Sequence, residues 1–193
     1  MRILLMGPPG SGKGTQGSLL SAAFGVPVIS TGDIFREHVR RSTPLGRDVE
    51  QVMASGSYVP DEVTNALVED RLAAPDVDQG FILDGYPRTT NQVAELDRVL
   101  ARSDSRLGAV VHLSVPADEL VSRLHRRGSR GDRADDRAET IRGRIALYEA
   151  VTIPLLDNYR ERGVLVDVDG RGEPVSVAAE LERRLRALIV TPS

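Results

Sequence analysis

The chain has 193 residues, 25 of them lysine or arginine and 28 aspartate or glutamate, for a formal charge of -3. That length suits one domain that buries a core without staples, and that charge excludes a general electrostatic binder of nucleic acid. The absence of cysteine excludes disulfide scaffolds, thiolate zinc centres, iron–sulfur clusters and cysteine nucleophiles. No apolar run reaches the length of a membrane span and no signal-peptide pattern opens the chain, so a cytoplasmic, membrane-free protein is expected.

Strand-like apolar runs and helical patterns alternate along the chain. Strands are predicted at Arg2–Met6, Pro27–Ile29, Phe81–Asp84, Ala109–Ser114 and Val164–Val168, each read as buried on two faces. Helices are predicted at Gly14–Phe24, Ile34–Arg41, Leu45–Ala54, Asp61–Leu72, Asn91–Ala101, Pro116–Arg126, Ala138–Arg162 and Pro174–Leu188. Such alternation implies an α/β fold, a five-stranded parallel sheet with helices on both faces. Thr31–Val59 carries two or three helices between the second and third strands, a long excursion for one crossover. Gly128–Asp136 (GSRGDRADD) has no apolar periodicity and reads as an exposed, mobile flap.

One basic residue stands apart: Lys13 is the sole lysine, against 24 arginines. It lies in Gly7-Pro8-Pro9-Gly10-Ser11-Gly12-Lys13-Gly14-Thr15, after the first strand and before the first helix. This is the G-x-x-x-x-G-K loop, whose backbone N–H groups wrap a phosphate at a helix N-terminus. Gly10, Gly12 and Gly14 clear side chains from the anion's path, and Lys13 brings a compact charge to the phosphates. The residue after Lys13 is Gly14 rather than Ser or Thr, so the usual hydroxyl for Mg²⁺ is missing. The metal is then expected on nucleotide phosphates and water, with Asp84 behind the waters. The spacing does not fit a dinucleotide fingerprint.

Two further clusters follow strands. Ser30-Thr31-Gly32-Asp33-Ile34-Phe35-Arg36 has a capping-box-like start, and Asp84-Gly85-Tyr86-Pro87-Arg88-Thr89-Thr90-Asn91-Gln92 ends the third strand. Both lie where open α/β sheets bind ligands, and each offers an arginine that can fork onto phosphate.

With these motifs in order, the chain resembles the adenylate kinases, a family of nucleoside monophosphate kinases, over essentially its whole length. The matching stretches are GPPGSGKGTQ, STGDIFR, SYVPDEV, GFILDGYPRTTNQ and RLHRRGSRGDRADDRAETIRGRI. The resemblance implies a phosphate-loop fold of three layers, with a mobile monophosphate-binding insertion at 30–59 and a short lid at 127–136 within one domain of residues 1–193. It implies ATP on Gly10, Ser11, Gly12, Lys13, Gly14, Thr15 and Arg127, with the adenine amine meeting a carbonyl of the 170–172 loop, assigned to Gly172. It implies AMP on Thr31, Arg36, Ser57, Tyr58, Val59, Gly85, Tyr86, Pro87, Arg88, Gln92, Arg133 and Arg144, with Gln92 reading the adenine edge. Lys13, Arg88, Arg123, Arg127, Arg133 and Arg144 would carry the catalytic charge. Tyr58 departs from the family, which commonly has leucine there. The implied activity is reversible transfer of the ATP γ-phosphoryl group to AMP, giving two ADP, by a monomer that needs Mg²⁺ and has no zinc-stapled lid.

Plainer readings hold elsewhere. Arg40, Arg41, Arg126, Arg160, Arg183 and Arg184 are read as solvated surface, and a structural ion pair would also explain Arg123. His38, His112 and His125 lack ligand or base spacing, and Tyr86 is expected to pack rather than react. The alternatives are a UMP or CMP acceptor, a nucleotide-binding regulator, which needs only one nucleotide site, and a nucleic-acid binder, which the net charge disfavours.

Overall fold

The computed structural model describes residues 1–128 and 138–190. The expected lid at 127–136, Asp135 and Asp136 therefore fall outside it, apart from Arg127 and Gly128.

The chain runs β1 (Arg2–Met6), α1 (Lys13–Phe24), β2 (Val28–Ser30), α2 (Thr31–Arg40), α3 (Pro44–Ala54), α4 (Asp61–Leu72), a 3₁₀ turn (Pro75–Val77), β3 (Phe81–Asp84), α5 (Thr90–Arg102) and β4 (Ala109–Ser114). It continues through α6 (Ala117–Gly128), α7 (Ala138–Leu147), a π-helical turn (Tyr148–Thr152), α8 (Leu155–Glu161), β5 (Leu165–Asp169) and α9 (Pro174–Val190). The five strands form one parallel sheet in the order β2-β3-β1-β4-β5. The predicted α/β class and sheet are thus found.

Alternation along β1 builds the three layers. Ile3 and Leu5 face one side, with Ile82 and Val111, and pack on Leu20 of α1 and on Val177, Leu181 and Leu185 of α9. Leu4 and Met6 face the other side, with Leu83 and Val110. They pack on Val68 of α4, on Val93, Leu96 and Leu100 of α5, and on Leu155, Leu156 and Tyr159 of α8. Each fully buried aliphatic side chain contributes about 2 kcal/mol. The expected two-face burial fails at β5. As an edge strand it buries Val166 and Val168 but exposes Asp167 and Asp169.

Residues 31–59 carry a small apolar cluster of their own, with Phe35, Val49 and Val59 at its centre and Val39, Leu45, Val52 and Met53 around it. Its helices start on side-chain caps. Ser30 Oγ accepts from the Asp33 N–H at 3.3 Å and Thr43 Oγ1 from the Gly46 N–H at 3.0 Å. The Ser30 cap starts α2 at Thr31, three residues before the helix predicted from apolar spacing.

The single helix predicted over 138–162 is interrupted. Pro154 has no amide hydrogen to continue the α ladder. The chain widens instead, and Ile153 N–H donates to Tyr148 C=O at 3.0 Å, five residues back. The wider turn lies beside the cavity described next.

Candidate active site

The C-terminal ends of β1 and β3 open into a cavity of about 510 Å³, within the range of small-molecule sites. Its floor is the loop between β1 and α1. Gly12 caps α1 at φ 98°, a left-handed conformation that glycine adopts without strain. Gly10 packs on α6, where an added Cβ would stand 2.9 Å from Leu124 Cγ. An added Cβ on Gly14 would meet nothing within 4 Å, and Thr15 is exposed. Ser11 is 2 % exposed and its hydroxyl has no hydrogen-bond partner among the described residues.

Lys13 is half-buried and folds back over this loop. Its Nζ donates to the carbonyls of Gly7 (2.7 Å) and Pro8 (3.0 Å). Desolvation lowers its pKa to about 8. Asp84 opposes that shift, while the cations of Arg88, Arg144 and Arg127 reinforce it.

The opposite wall is built from three segments far apart in sequence. Thr31 Oγ1 donates to Gly85 C=O (3.1 Å), and Arg88 Nε donates to the same carbonyl (2.7 Å). Both terminal nitrogens of Arg88 lack a protein acceptor among the described residues, and the guanidinium lies 4.7 Å from the Tyr58 ring centroid. Arg36 pairs with Asp33 at 2.5 Å. Gln92 is 2 % exposed. Its Oε1 accepts from Arg88 N–H and its Nε2 donates to Asp61, each at 2.7 Å. Thr31, Arg36, Ser57, Tyr58, Val59, Gly85, Arg88, Gln92 and Arg144 line a smaller pocket of about 60 Å³. The Val59 side chain also serves the apolar cluster of residues 31–59.

The structure thus gathers most of the residues singled out in the sequence. Gly10, Gly12, Lys13, Gly14, Thr15, Arg36, Tyr58, Asp84, Gly85, Tyr86, Pro87, Arg88, Arg123, Arg127 and Arg144 all line the larger cavity. No described residue hydrogen-bonds the Asp84 carboxylate. Tyr86 packs as expected, 1 % exposed, with its hydroxyl 2.8 Å from Asn65 Oδ1 and 3.1 Å from Gln92 C=O, sharing its one hydrogen between them. Its phenol is pushed well above its ordinary pKa by burial. Arg123 is held in an ion pair with Glu119 at 2.5 Å and donates to Gly170 C=O at 3.0 Å. Gly172 lies in the turn from β5 to α9 and lines neither cavity. Arg133 lies outside the described residues. The arginines read as surface include Arg40, Arg160, Arg183 and Arg184, and each pairs with a nearby carboxylate.

Three site residues escaped the sequence. Thr152 Oγ1 donates to Arg88 C=O (3.0 Å). Its one hydrogen is then spent, so the Tyr58 hydroxyl 2.9 Å away is the donor to Thr152. Tyr148 lines the cavity, and its buried hydroxyl has no partner among the described residues. Asp61 holds Gln92 and Thr89. Asp61 lies in the matching stretch SYVPDEV but was given no role there, and no local motif marks Tyr148 or Thr152. A proline six residues after Tyr148 and two after Thr152 was the only available sign.

The family model for adenylate kinase matches residues 5–164. The chain belongs to the adenylate kinase family. Membership makes it an enzyme, a nucleotide-binding transferase. It is similar to the adenylate kinase of Clavibacter michiganensis, 48 % identical over 192 residues, which span all of this chain and 96 % of the relative. It is also 49 % identical to the adenylate kinase of Micrococcus luteus over 97 % of this chain and 90 % of that one. With the adenylate kinase of Nocardia farcinica it shares 49 % identity over 97 % and 99 % of the two chains. No helix among the described residues is long and apolar enough to cross a membrane.

Proposed function

We propose that the protein transfers the γ-phosphoryl group of ATP reversibly to AMP, giving two ADP, with Mg²⁺ required, and so balances the adenine nucleotides. One observation carries this reading. The phosphate loop and the arginine-bearing acceptor wall face each other across a single cavity of about 510 Å³. A nucleotide-binding regulator would need only the first half.

Joining two polyanions in line is an electrostatic problem more than an acid–base one. Lys13 and the backbone amides from Gly10 to Thr15 hold the donor phosphates. Arg36 and Arg88 hold the acceptor phosphate. Arg127 and Arg144 line the same cavity, where their charges would offset the repulsion between the two phosphates. Residues 30–59 form the acceptor-binding unit and close over the monophosphate, which keeps water from competing.

Mg²⁺ fits the residues present. Asp84 lies in the cavity with a carboxylate that no described residue hydrogen-bonds. No cluster of three or more metal-ligating side chains occurs among the described residues, so the ion would come bound to nucleotide phosphates, with Asp84 on its waters. Bound there, it neutralises charge on the transferring group.

The test is ³¹P NMR of the purified protein with Mg²⁺ and ADP alone. Joint appearance of ATP and AMP is expected. Persistence of ADP, followed by turnover of ATP with UMP or CMP, would move the acceptor to a pyrimidine.

A further inference from the structure

We propose that Asp61 is a positioning residue that sets the base selectivity of the acceptor site by fixing the sense of the Gln92 amide. The proposal rests on the reading of that site as the one that takes AMP.

Gln92 lies in the first turn of α5 and Asp61 opens α4, thirty-one residues earlier. Asp61 Oδ1 accepts from Gln92 Nε2 at 2.7 Å. Asp61 Oδ2 accepts from Thr89 Oγ1 at 2.7 Å, which keeps the carboxylate from rotating. At the other end of the amide, Gln92 Oε1 accepts from the Arg88 N–H at 2.7 Å. A carboxylate only accepts and a backbone N–H only donates. The amide therefore has one sense. Turned over, it would set its carbonyl against a carboxylate and its NH₂ against an N–H.

An amide has two N–H donors and two carbonyl lone pairs. Asp61 takes one donor and Arg88 one lone pair. One donor and one acceptor remain on adjacent atoms of a side chain that lines the small pocket. Adenine presents an amino donor beside a ring-nitrogen acceptor. Hypoxanthine presents the reverse, a carbonyl acceptor beside a ring N–H. A glutamine free to turn could satisfy either base. Gln92 in its fixed sense matches only adenine. Rejecting the other base depends on leaving buried polar groups unpaired or opposed, which is where discrimination is strong.

The variant is Asp61→Asn, which keeps the shape and lets residue 61 present either a donor or an acceptor to Gln92. The reading is kcat/KM for AMP and for IMP, both with saturating ATP. The expected result is a fall of about tenfold in the AMP-to-IMP preference, since charge-assisted contacts of this kind carry that order of effect. The change should lie in KM for the acceptor, with KM for ATP unmoved. A merely structural role for Asp61 would weaken both acceptors alike. A folded Asp61→Asn protein with the wild-type preference overturns the proposal. Should that variant not fold, Asp61→Ser, which keeps a helix-starting residue on α4, is held to the same two outcomes. A wild-type protein with no turnover on AMP breaks the parent reading, and this one with it. Wild-type turnover with an unchanged preference in the variant breaks this one alone.

Discussion

The two walls of the cavity are built on different principles. The phosphate loop is a contiguous piece of backbone. Its shape comes from glycines such as Gly12 at φ 98°, and Lys13 is tied to the loop's own carbonyls. The acceptor wall is a web of side chains. Tyr58, Asp61, Arg88, Gln92 and Thr152 come from separate elements and hold one another through Tyr58–Thr152, Thr152–Arg88, Arg88–Gln92 and Gln92–Asp61 bonds of 2.7 to 3.0 Å. A loop whose ligand meets backbone amides is specified by what its residues lack. A wall whose ligand meets side chains is specified by what supports them.

The contrast can be broken by substitution. The largest effect is expected at Lys13→Ala, where kcat should fall by about a hundredfold or more. The fold should survive, because the ammonium's hydrogen-bond partners among the described residues are two loop carbonyls. Steady-state kinetics with a thermal unfolding scan checks both halves, and near-normal turnover would remove Lys13 from its role.

Gly12→Ala tests backbone rather than side chain. No atom lies within 4 Å of the new Cβ, so only the left-handed conformation is at issue. A cost of about 1–2 kcal/mol is expected, seen as a drop of a few degrees in Tm.

Lys13 also predicts a proton linkage. Its pKa of about 8 in the free protein should rise when phosphates replace solvent-starved surroundings with anionic ones. Above pH 8, nucleotide binding should therefore take up a fraction of a proton. Calorimetry at pH 8.5 in buffers of different ionisation enthalpy measures it, and Lys13→Met should abolish it. The sign for folding follows from the same shift. The folded pKa is depressed, so the unfolded chain holds more protons between about pH 8 and the ordinary lysine value of 10.5. This group's destabilising contribution is full below pH 8 and relaxes across that window.

On the acceptor wall, Tyr58→Phe keeps the ring over Arg88 and removes only the bond to Thr152. Each such bond is worth about 1 kcal/mol. A double-mutant cycle of Tyr58→Phe with Thr152→Val in urea should give a coupling of about 0.5–1 kcal/mol, with a few-fold rise in KM for AMP. A coupling of zero would mean the two hydroxyls do not support the wall. The smallest effect is expected at Ser11→Ala. Its buried hydroxyl has no partner among the described residues, so stability of the free protein should change by no more than about 0.5 kcal/mol.

Much of this was legible beforehand. The five strands, the α/β class and the phosphate loop followed from apolar runs and from a motif whose residues adjoin one another. The segments 30–36 and 84–92 stood out because each follows a strand, and parallel sheets gather their strand ends on one edge. The family resemblance then singled out Thr31, Arg36, Gly85, Arg88 and Gln92 within them. Where apolar spacing was the only guide, boundaries slipped. The Ser30 cap and the π turn before Pro154 are set by single hydrogen bonds that periodicity does not register.

The amino-acid sequence by itself determined the strands, the α/β class, the loop and the family, because local backbone preference and contiguous motifs need only neighbours along the chain, whereas the order β2-β3-β1-β4-β5 was decided by the packed sheet. Tertiary structure alone decided that Tyr58 and Thr152 brace Arg88, that Asp61 orients Gln92, and that Arg123 reaches the Gly170 carbonyl. Those bonds join residues as many as 94 positions apart. Donors and acceptors that distant have no spacing to betray them, and only the packed sheet with its helices brings them within 3 Å.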